Sequence, residues 1–198
     1  MYLIKGNHIG IRKLSGDDIS DAMMEWFQDE ELMRYYTNSK QVITKEILLD
    51  AIHKGEADKN NFTYGIFDLE SKMIIGTLRL GPINLHHKIS DLVVLIGNKD
   101  FHGKGLAIEA IQLGNKIAFE THELRKLFGG MYASNRSSIK AYLRAGWIVE
   151  GIRKAQYWNN GKHEDRIEVG CFNPQLFNEE YINSCSVMNL EQVLIHYP

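Results

Sequence analysis

The sequence predicts a single α/β (α+β) domain in which helices cover both faces of a mixed, mostly antiparallel sheet. Three apolar segments rich in β-branched residues follow one another at 62–69, 72–81 and 89–97, separated only by short polar breaks, which indicates an antiparallel meander. Amphipathic helical segments precede this meander, and a glycine-rich junction after it opens into a longer helix. Helices on either side of a sheet are the natural way to bury both of its faces.

The remaining elements complete the order β-α-α-β-β-β-α-β-α-β-β. Ser15 and Thr44 are good N-cap residues for the two early helices, and Gly146 stands in a C-cap position. The dipeptide Asn160-Gly161 is the strongest turn signal and predicts a hairpin. Apart from the meander, the predicted elements are a strand at 8–14, helices at 15–27, 44–56, 106–120 and 135–146, a strand at 126–133, and hairpin strands within 147–172.

The chain has 198 residues, which is enough for one well-buried domain. With only three prolines and no low-complexity run, it shows no linker and no internal repeat. We therefore expect one domain at 1–173 and a C-terminal extension at 174–198. That extension is expected to pack on the domain or on the partner subunit of a homo-oligomer.

The charge balance argues against nucleic acid and membrane partners. A formal net charge of −2 offers no basic excess for nucleic acid and no broad electrostatic attraction to a membrane. No apolar run approaches the roughly 20 residues that cross a bilayer, and the N-terminus lacks a signal-peptide core. Cys171 and Cys185 form neither a metal-ligand pattern nor a dithiol motif, so we expect no metal site and a reduced, cytoplasmic protein.

The junction NKDFHGKGLAIEA at 98–110 places Gly103 and Gly105 between an apolar strand and a helix. Such a junction gathers unpaired backbone N–H groups at the positive end of a helix, an arrangement that binds anions and most often phosphate. Glycine lets phosphate oxygens approach the amides and tolerates a positive φ. Lys104 adds positive charge. The pattern therefore predicts a phosphate site at this junction.

Other interpretations of the two glycines stay open at this point. A dinucleotide-binding fold requires a third glycine where this chain has Ile108, and the preceding strands here are antiparallel. A nucleotide P-loop requires Lys followed by Ser or Thr, and Leu106 does not meet that requirement. A tight strand-to-helix turn without a ligand is also compatible with two glycines.

The run DFHGKGLAIEAI at 100–111 is followed by NRSSIKAYLRAGW at 135–147. Together, in this order and spacing, they resemble two motifs of the GNAT superfamily of N-acetyltransferases, and the resemblance covers roughly residues 8–172. Gly103 and Gly105 match the family's Arg/Gln-x-x-Gly-x-Gly/Ala loop, with Asp100 where the family usually has Arg or Gln. In NRSSIKAYLRAGW, Trp147 replaces the Phe of the family's Asn…Ser-Ile…Tyr…Gly-Phe helix. The positions that match this second motif are Asn135, Ser138, Ile139, Tyr142 and Gly146. NGKHED is similar to the Asn-Gly-x-Tyr-x-Asp hairpin motif of the ribosomal-protein acetyltransferase-like branch, with His163 at the Tyr position.

The resemblance implies acetyl-CoA as the co-substrate, with its pyrophosphate on the amides around 102–107 and its pantetheine arm along strand 92–96. A backbone N–H near Leu95 or Ile96 is then the expected oxyanion donor. Asn135 is implied to hold a pantetheine amide, and it also suits the N-cap of its helix. The implied cofactor-binding residues are Leu95, Ile96, Gly97, His102, Gly103, Lys104, Gly105, Leu106, Ala107, Asn135 and Ser138.

For the chemistry, the resemblance implies Tyr142 as the acid that protonates the departing thiolate, although an inner-face tyrosine also suits a core role. Asp91 lies on the central strand where this branch often has Glu, so it is a candidate base or an ordinary strand-edge charge. His86 and His87 precede that strand and titrate in the useful range, but loop histidines are commonly solvated.

The resemblance implies that the acceptor is a primary amine, of a small molecule or of a peptide. Residues 26–36 (WFQDEELMRYY) usually form the acceptor wall in this family, and their aromatic and charged side chains suit a sugar, a nucleobase or a peptide terminus. GIRKAQYWNNGKHEDRIEVG is similar to acetyltransferases that act on nucleotide-linked amino sugars, and we expect that class first. Acetylation of a protein N-terminus and a non-catalytic acetyl-CoA-binding protein are the alternatives. His163 and Asp165 line the acceptor cleft or simply complete the hairpin.

Overall fold

The computed structural model describes residues 1–36, 42–159 and 161–197. The predicted turn residue Asn160 lies outside this description, and Gly161 beside it has a positive φ of 76°. The strands are β1 (Ile4–Lys5), β2 (Ile9–Lys13), β3 (Phe62–Asp68), β4 (Ile74–Leu80), β5 (Ile89–Ile96), β6 (Lys126–Tyr132), β7 (Ile148–Asn159) and β8 (Lys162–Phe172). The helices are α1 (Asp21–Trp26), α2 (Glu30–Met33), α3 (Lys45–Ala57), α4 (Leu106–Lys116), α5 (Arg136–Arg144), α6 (Glu179–Ser184) and α7 (Leu190–His196).

The eight described strands form one mixed sheet in the order β1-β2-β3-β4-β5-β6-β8-β7. Consecutive strands from β1 to β5 pair antiparallel, as the meander predicted. β5 and β6 pair in parallel, and their register runs only from Ile89↔Lys126 to Asp91↔Phe128. Beyond these residues the two strands separate, although β5 continues against β4 and β6 against β8.

Helices pack on both faces of this sheet, which confirms the predicted architecture. On one face, α4 and α5 share the main hydrophobic core with inward side chains such as Ile66, Leu78 and Leu92. On the other face, α1 and α3 enclose a smaller cluster that includes Leu14, Met23 and Ile52. Alternation along β3 explains the division, since Ile66 faces the first cluster while Gly65 faces Leu14 of the second.

The segment predicted as one helix at 15–27 divides into two pieces. Asp18 accepts hydrogen bonds from the backbone N–H and hydroxyl of Ser15 and pairs with Arg12, which fixes a short 3₁₀ turn at Gly16–Asp18. Ser20 then caps α1 by accepting from the N–H of Met23 at 3.2 Å. Ser15 and Ser20 are both N-cap residues, and each begins its own short helical element.

Other element boundaries differ in smaller ways. The predicted helix at 106–120 is α-helical to Lys116 and continues as a π-helical turn over Ile117–Thr121. Gly146 follows the α5 C-cap, Ala145, and has a φ of 92°, so it occupies the left-handed position that glycine favours. A short strand, β1, precedes the predicted first strand.

The segment expected to be a C-terminal extension is described from 174 to 197, and it contacts elements that precede it in the chain. Val193 of α7 is buried in the main core, and Arg136 of α5 donates to the carbonyl oxygen of Leu194 at 3.5 Å. Val187 N–H donates to the carbonyl of Val149 at 2.8 Å, which extends pairing at the edge of β7. Within the described residues, no helix combines the length and apolarity that crossing a membrane requires.

Candidate active site

A cleft of about 960 Å³ opens where β5 and β6 separate. One end lies at the start of α4, and the other end meets α2 and the β7–β8 hairpin. Of the predicted residues, the cleft is lined by Asp91, Leu95, Ile96, His102, Gly103, Gly105, Leu106, Ala107, Asn135, Ser138 and Tyr142. Residues far apart in the sequence therefore meet in one concave site.

The separated edge of β5 presents backbone polar groups to this cleft. The carbonyl of Asp91 accepts from Gly81 N–H at 3.1 Å on the β4 side, so alternation turns the backbones of Leu92, Val94 and Ile96 toward the gap. Tyr142 confirms this direction because its hydroxyl reaches the Leu92 carbonyl. Of the two predicted oxyanion donors, Ile96 therefore directs its N–H into the gap, while the N–H of Leu95 faces β4.

Gly103 and Gly105 form an open cradle at the start of α4. Their φ values are 74° and 78°, in the left-handed region where side chains are disfavoured, and Gly105 is the N-cap of α4. A Cβ added to either residue meets no atom within 4 Å, so the space above both backbones is free. The unpaired N–H groups of the first turn of α4 face this space, which suits a diphosphate.

The loop that leads to this cradle is held by its neighbours. Asn98 caps the 3₁₀ turn at Lys99–Phe101 by accepting from Asp100 N–H at 3.0 Å. The ring of His102 lies 2.7 Å, at Nε2, from the carbonyl oxygen of Ile96. Gly97 is covered by the indole of Trp26, since an added Cβ would lie 2.0 Å from that ring. Gly97 is absent from the cleft lining and instead lets Trp26 pack against the loop.

Glu109 places a carboxylate in the first turn of α4, where it would repel a bound diphosphate if it faced the cradle. Instead its Oε1 accepts from the N–H of His8 at 2.9 Å, and its Oε2 lies 3.0 Å from Nδ1 of His8. Gly6 makes this approach possible, because a Cβ there would lie 2.1 Å from Oε1. The β1–β2 turn therefore holds this carboxylate and anchors the first turn of α4.

Tyr142 lies at the apex of the gap between β5 and β6. α5 is amphipathic and turns Tyr142 inward, where its hydroxyl donates to the carbonyl of Leu92 at 2.7 Å and its ring packs edge-on against Trp147. Burial raises the pKa of the phenol, and the charge of Asp91 raises it further. Tyr142 is therefore protonated at neutral pH, which a general acid requires.

Asn135 and Ser138 begin α5 beside the same gap. The Oδ1 of Asn135 accepts from Ser138 N–H at 3.2 Å, so Asn135 is the N-cap of the helix. Both side chains also line the cleft. The cap uses only the oxygen of the Asn135 amide, so the interaction leaves its NH₂ group available to a ligand.

Asp91 is half-buried on the sheet face opposite α4. Arg79 lies beside it, with Nη2 at 3.7 Å from Oδ2. Burial raises the pKa of the Asp91 carboxyl, while the charges of Arg79 and Arg166 and the Leu92 N–H oppose the rise. A carboxylate with a raised pKa is a better proton acceptor than a fully solvated one. Tyr36 lies near this pair: burial raises the pKa of its hydroxyl, the charge of Arg79 opposes the rise, and the charge of Asp91 adds to it.

Several predicted residues lie outside the cleft lining. His86 is on the exposed loop before β5, where its ring packs against His87, and the geometry gives no support to a role as base. The ammonium of Lys104 lies over the ring of Phe101 on the exposed side of the loop. His163 is exposed beside Trp158 near the hairpin tip.

Asp165 has a structural position rather than one in the cleft. Its carboxylate accepts from Lys154 Nζ at 2.8 Å, from Ala155 N–H at 2.9 Å and from the Tyr197 hydroxyl at 2.9 Å. These bonds hold the irregular part of β7, where Ala155 has a φ of 51°, and attach the C-terminus to the hairpin. Of the two alternatives for Asp165, the geometry favours completion of the hairpin.

The far end of the cleft contains an aromatic group of which sequence reasoning identified only Tyr35, within the wall predicted at 26–36, and assigned no role to Tyr132 or Tyr157. Tyr132 stacks on Tyr157 with ring centroids 3.8 Å apart, and Tyr35 lies 5.5 Å from Tyr132. Arg166 lies beside this group and over Gly130, where a Cβ would come within 1.9 Å of its Nε. The glycine pair in the strand KLFGGMY was the available signal, because glycine inside a strand often marks a close approach.

These features fit acetyl-CoA. The cradle at Gly103 and Gly105 has room for a diphosphate and carries no side chain that would exclude it. The gap-facing backbone of Val94 and Ile96 offers a carbonyl and an N–H to an extended amide-containing chain. Asp91 and Tyr142, the predicted proton acceptor and proton donor, line the same cleft.

Comparisons with known proteins agree with this geometry. The family model for the acetyltransferase (GNAT) domain matches residues 8–148. "Probable N-acetyltransferase YjcK" of Bacillus subtilis (strain 168) is 25% identical over 181 residues, which cover 87% of this chain and 98% of that protein.

Two solved structures share the fold at low sequence identity. Spermidine N-acetyltransferase from Vibrio cholerae, solved in complex with CoA and spermine, gives a TM-score of 0.74 at 20% identity and covers 83% of this chain and 95% of that one. Ribosomal-protein-S5-alanine acetyltransferase from Vibrio fischeri gives 0.73 at 20% identity and covers 86% and 96%. The matching family model spans well over half of the sequence, so this chain belongs to the GNAT family and is an acetyl-CoA-dependent N-acetyltransferase.

Proposed function

We propose that this cleft acetylates the primary amine of an amino sugar carried on a nucleotide, by direct transfer from acetyl-CoA. The observation that carries the transfer step is the separation of β5 from β6. It exposes a strand edge, leads to the glycine cradle at α4, and brings Tyr142 and Asp91 into one cleft.

The backbone supplies most of the binding. The N–H groups from Gly103 to Ala107 hold the diphosphate, and the Val94 carbonyl and Ile96 N–H pair with the amides of the extended arm. The NH₂ group of Asn135 donates to the same arm. Acetyl-CoA supplies the acetyl group as a thioester, which breaks at its C–S bond.

Two side chains carry out the proton transfers of the reaction. Asp91 accepts, directly or through one water, the proton that the amine loses as its nitrogen bonds to the acetyl carbon. Tyr142 donates a proton to the departing sulfur, so the products are an N-acetyl group and a free thiol. Tyr142 then regains a proton from solvent and Asp91 releases one, which restores both groups. The Ile96 N–H stabilises the carbonyl oxygen during the transfer.

The tyrosines at the far end of the cleft support the choice of acceptor. Tyr35, Tyr132 and Tyr157 offer apolar rings with polar tips, a surface that packs against sugar rings and bases. The hydroxyl of Tyr35 also lies 3.3 Å from the Ser134 carbonyl, which fixes α2 against the β6–α5 turn. The wall predicted at 26–36 therefore contributes to the cleft through its last residues.

The structural neighbours suggest two other acceptors. The Vibrio cholerae protein is named for spermidine, and the Vibrio fischeri protein for the alanine of a ribosomal protein. Neither name refers to a nucleotide sugar, so the acceptor assignment rests on the aromatic wall and on the hairpin resemblance.

The test is release of free CoA thiol from acetyl-CoA in the presence of four acceptors. These are a nucleotide-linked amino sugar, the corresponding free amino sugar, spermidine and a peptide with a free N-terminal alanine. We expect the nucleotide-linked sugar to give the highest kcat/KM. If only the peptide is acetylated, the acceptor is a protein N-terminus and not a nucleotide-linked sugar. If no member of a broad set of amines is acetylated, catalysis in this cleft is contradicted.

A further inference from the structure

We infer that Arg166 binds a negatively charged oxygen group of the acceptor, either a phosphate or a carboxylate, and so selects anionic amines. This inference rests on the proposed function and names a specificity determinant within the same site. Arg166 belongs neither to the glycine cradle nor to the pair of proton-transfer residues.

The register of the sheet places Arg166 on the acceptor side of the cleft. Tyr132 of β6 faces Arg166 of β8 across the sheet, and Gly130 faces Glu168. Alternation puts these four residues on the face opposite to that of Met131 and Ile167, which belong to the main core. The guanidinium thus lies on the same side as the tyrosine group.

The strand itself is shaped around this guanidinium. Gly130 leaves the space that a side chain would fill, since its Cβ would lie 1.9 Å from Nε of Arg166. The ring of Tyr157 lies 6.0 Å from the guanidinium carbon and borders it on another side. An arginine confined in this way keeps its fork of N–H donors in one orientation, which favours bidentate binding of an anion.

The hydrogen-bonding capacity of Arg166 is only partly used within the described residues, where its side chain hydrogen-bonds to Tyr157. Its Nε is buried without a hydrogen-bond partner, although it forms an ion pair with Oε1 of Glu168 at 3.1 Å. The same oxygen of Glu168 lies closer to another guanidinium, 2.6 Å from Nε of Arg153. The carboxylate of Glu168 is therefore shared by two arginines, so Glu168, Arg153 and Arg166 together retain one positive charge.

The surrounding charges reinforce this excess. Asp91 is paired with Arg79, and Arg34, which also lines the cleft, lies over the ring of Tyr35. Glu31, the other acidic residue of the lining, lies 3.6 Å from Lys99. Among the described lining residues at this end, guanidinium groups outnumber the carboxylates available to them.

The excess of positive charge at this end of the cleft favours anionic amines over cationic ones as acceptors. A polyamine carries several positive charges, and its attraction to Asp91 is opposed by Arg34, Arg79 and Arg166. An amine that also carries a phosphate or carboxylate replaces water on Arg166 with a charged partner. Hydrogen bonds to charged groups stabilise a complex by about 1.5–3 kcal/mol, so discrimination of about 10- to 100-fold is the expected scale.

The experiment compares acceptors that share one amine and differ in charge. The probes are an amino sugar, its 1-phosphate, its 6-phosphate, its nucleotide diphosphate form and the acid oxidised to a carboxylate at C6. Spermidine is the cationic reference. The variants are Arg166→Gln, Arg166→Lys and Gly130→Ala, with Arg153→Gln as the matched control because Arg153 shares Glu168 and lies outside the cleft lining.

We expect the anionic members to exceed the neutral sugar in kcat/KM by about tenfold or more in the wild type. Arg166→Gln should abolish that ratio, compared on the pH plateau above the pKa of Asp91 because the charge of Arg166 also lowers that pKa. Arg166→Lys should restore only part of the ratio. Gly130→Ala should lower the ratio by displacing the guanidinium. Arg153→Gln should keep it. Comparison of the phosphorylated sugars with the C6 carboxylate decides whether Arg166 binds a phosphate or a carboxylate of the acceptor.

Two results would overturn the inference. The first is an equal loss for neutral and anionic acceptors in Arg166→Gln, which would assign Arg166 a purely structural role. The second is a higher kcat/KM for spermidine than for every anionic sugar. If no acceptor is acetylated, the proposed function fails, and calorimetric titration of the CoA-bound protein with the neutral and phosphorylated sugars still decides whether Arg166 binds an anion.

Discussion

The hydroxyl of Tyr142 donates a 2.7 Å hydrogen bond to the carbonyl oxygen of Leu92, at the point where β5 leaves β6. A parallel sheet would satisfy that carbonyl with an N–H from the neighbouring strand. Here a side chain from α5 satisfies it, and the same side chain carries the proton that we propose is donated to the departing sulfur. The group that stabilises the open gap is therefore also the proposed acid, and the O–H must turn away from Leu92 to reach the sulfur.

Tyr142→Phe tests this double role. We expect kcat to fall by about 10²-fold, since positioned acid–base groups contribute at least that much, while the Kd for CoA changes little. Loss of the hydroxyl leaves the Leu92 carbonyl without its partner, so the free energy of unfolding should fall by about 1 kcal/mol. Single-turnover thiol release and urea unfolding measure the two effects. Unchanged turnover would remove Tyr142 from the acid role.

Gly105→Ala tests the diphosphate cradle. A φ of 78° costs a residue with a Cβ roughly 1–2 kcal/mol, and the methyl group would project into the space assigned to the phosphate oxygens. We expect a lower Tm together with at least a tenfold rise in the Kd for CoA, measured by calorimetry.

The matched control for this substitution is Gly161→Ala. Gly161 has a nearly identical φ of 76° but lies in the β7–β8 turn, outside the cleft lining. It should reproduce the loss of stability and leave CoA affinity intact. Equal CoA affinities in both variants would show that the cradle at Gly105 is not a phosphate site.

The acid limb of the pH–rate profile tests Asp91 and Arg79 together. Burial raises the pKa of Asp91 and the charge of Arg79 lowers it, so Arg79→Gln removes the lowering effect and the pKa rises further. A base acts only when deprotonated, so kcat/KM falls as the pH drops through this pKa. The acid limb should therefore move to higher pH in Arg79→Gln.

Arg153→Gln provides the comparison, because Arg153 is exposed and is not among the charges that act on Asp91. Its profile should match the wild type. Asp91→Asn should lose most of the activity at every pH. An acid limb that stays in place in Arg79→Gln would mean that another group, or solvent alone, takes the proton.

Local sequence patterns predicted much of the fold because the interactions that form these elements involve residues close together in the sequence. Apolar, β-branched-rich runs separated by short polar breaks at 62–97 encode the meander, and Thr44 caps α3 as predicted. Gly103 and Gly105 signal a left-handed backbone at a helix start, and both have a positive φ. These features depend on residues within a few positions of one another, so the sequence alone predicts them.

The acceptor end could not be predicted in the same way because it depends on pairing across the sheet. Arg79 becomes important only because β4 places it beside Asp91, and Arg166 only because β8 pairs with β6 over Gly130. His86 shows the same dependence: its proximity to β5 in the sequence suggested a catalytic role, while the structure places it on an exposed loop outside the cleft lining.

The pair formed by Tyr64 and His122 makes the stability dependent on pH. The buried hydroxyl of Tyr64 lies 2.7 Å from Nε2 of His122, and burial, aided by the charge of Lys13, lowers the pKa of the imidazole. The unfolded chain has the ordinary histidine pKa near 6.5, so it binds more protons than the folded chain around and below that pH. The free energy of unfolding should therefore fall as the pH drops below about 6.5, because burial and the charge of Lys13 disfavour a charged His122. Urea unfolding between pH 5 and 8 measures this slope, which should be weaker in His122→Asn and unchanged in His86→Gln, the exposed-loop control; equal slopes in all three proteins would exclude His122 as the titrating group.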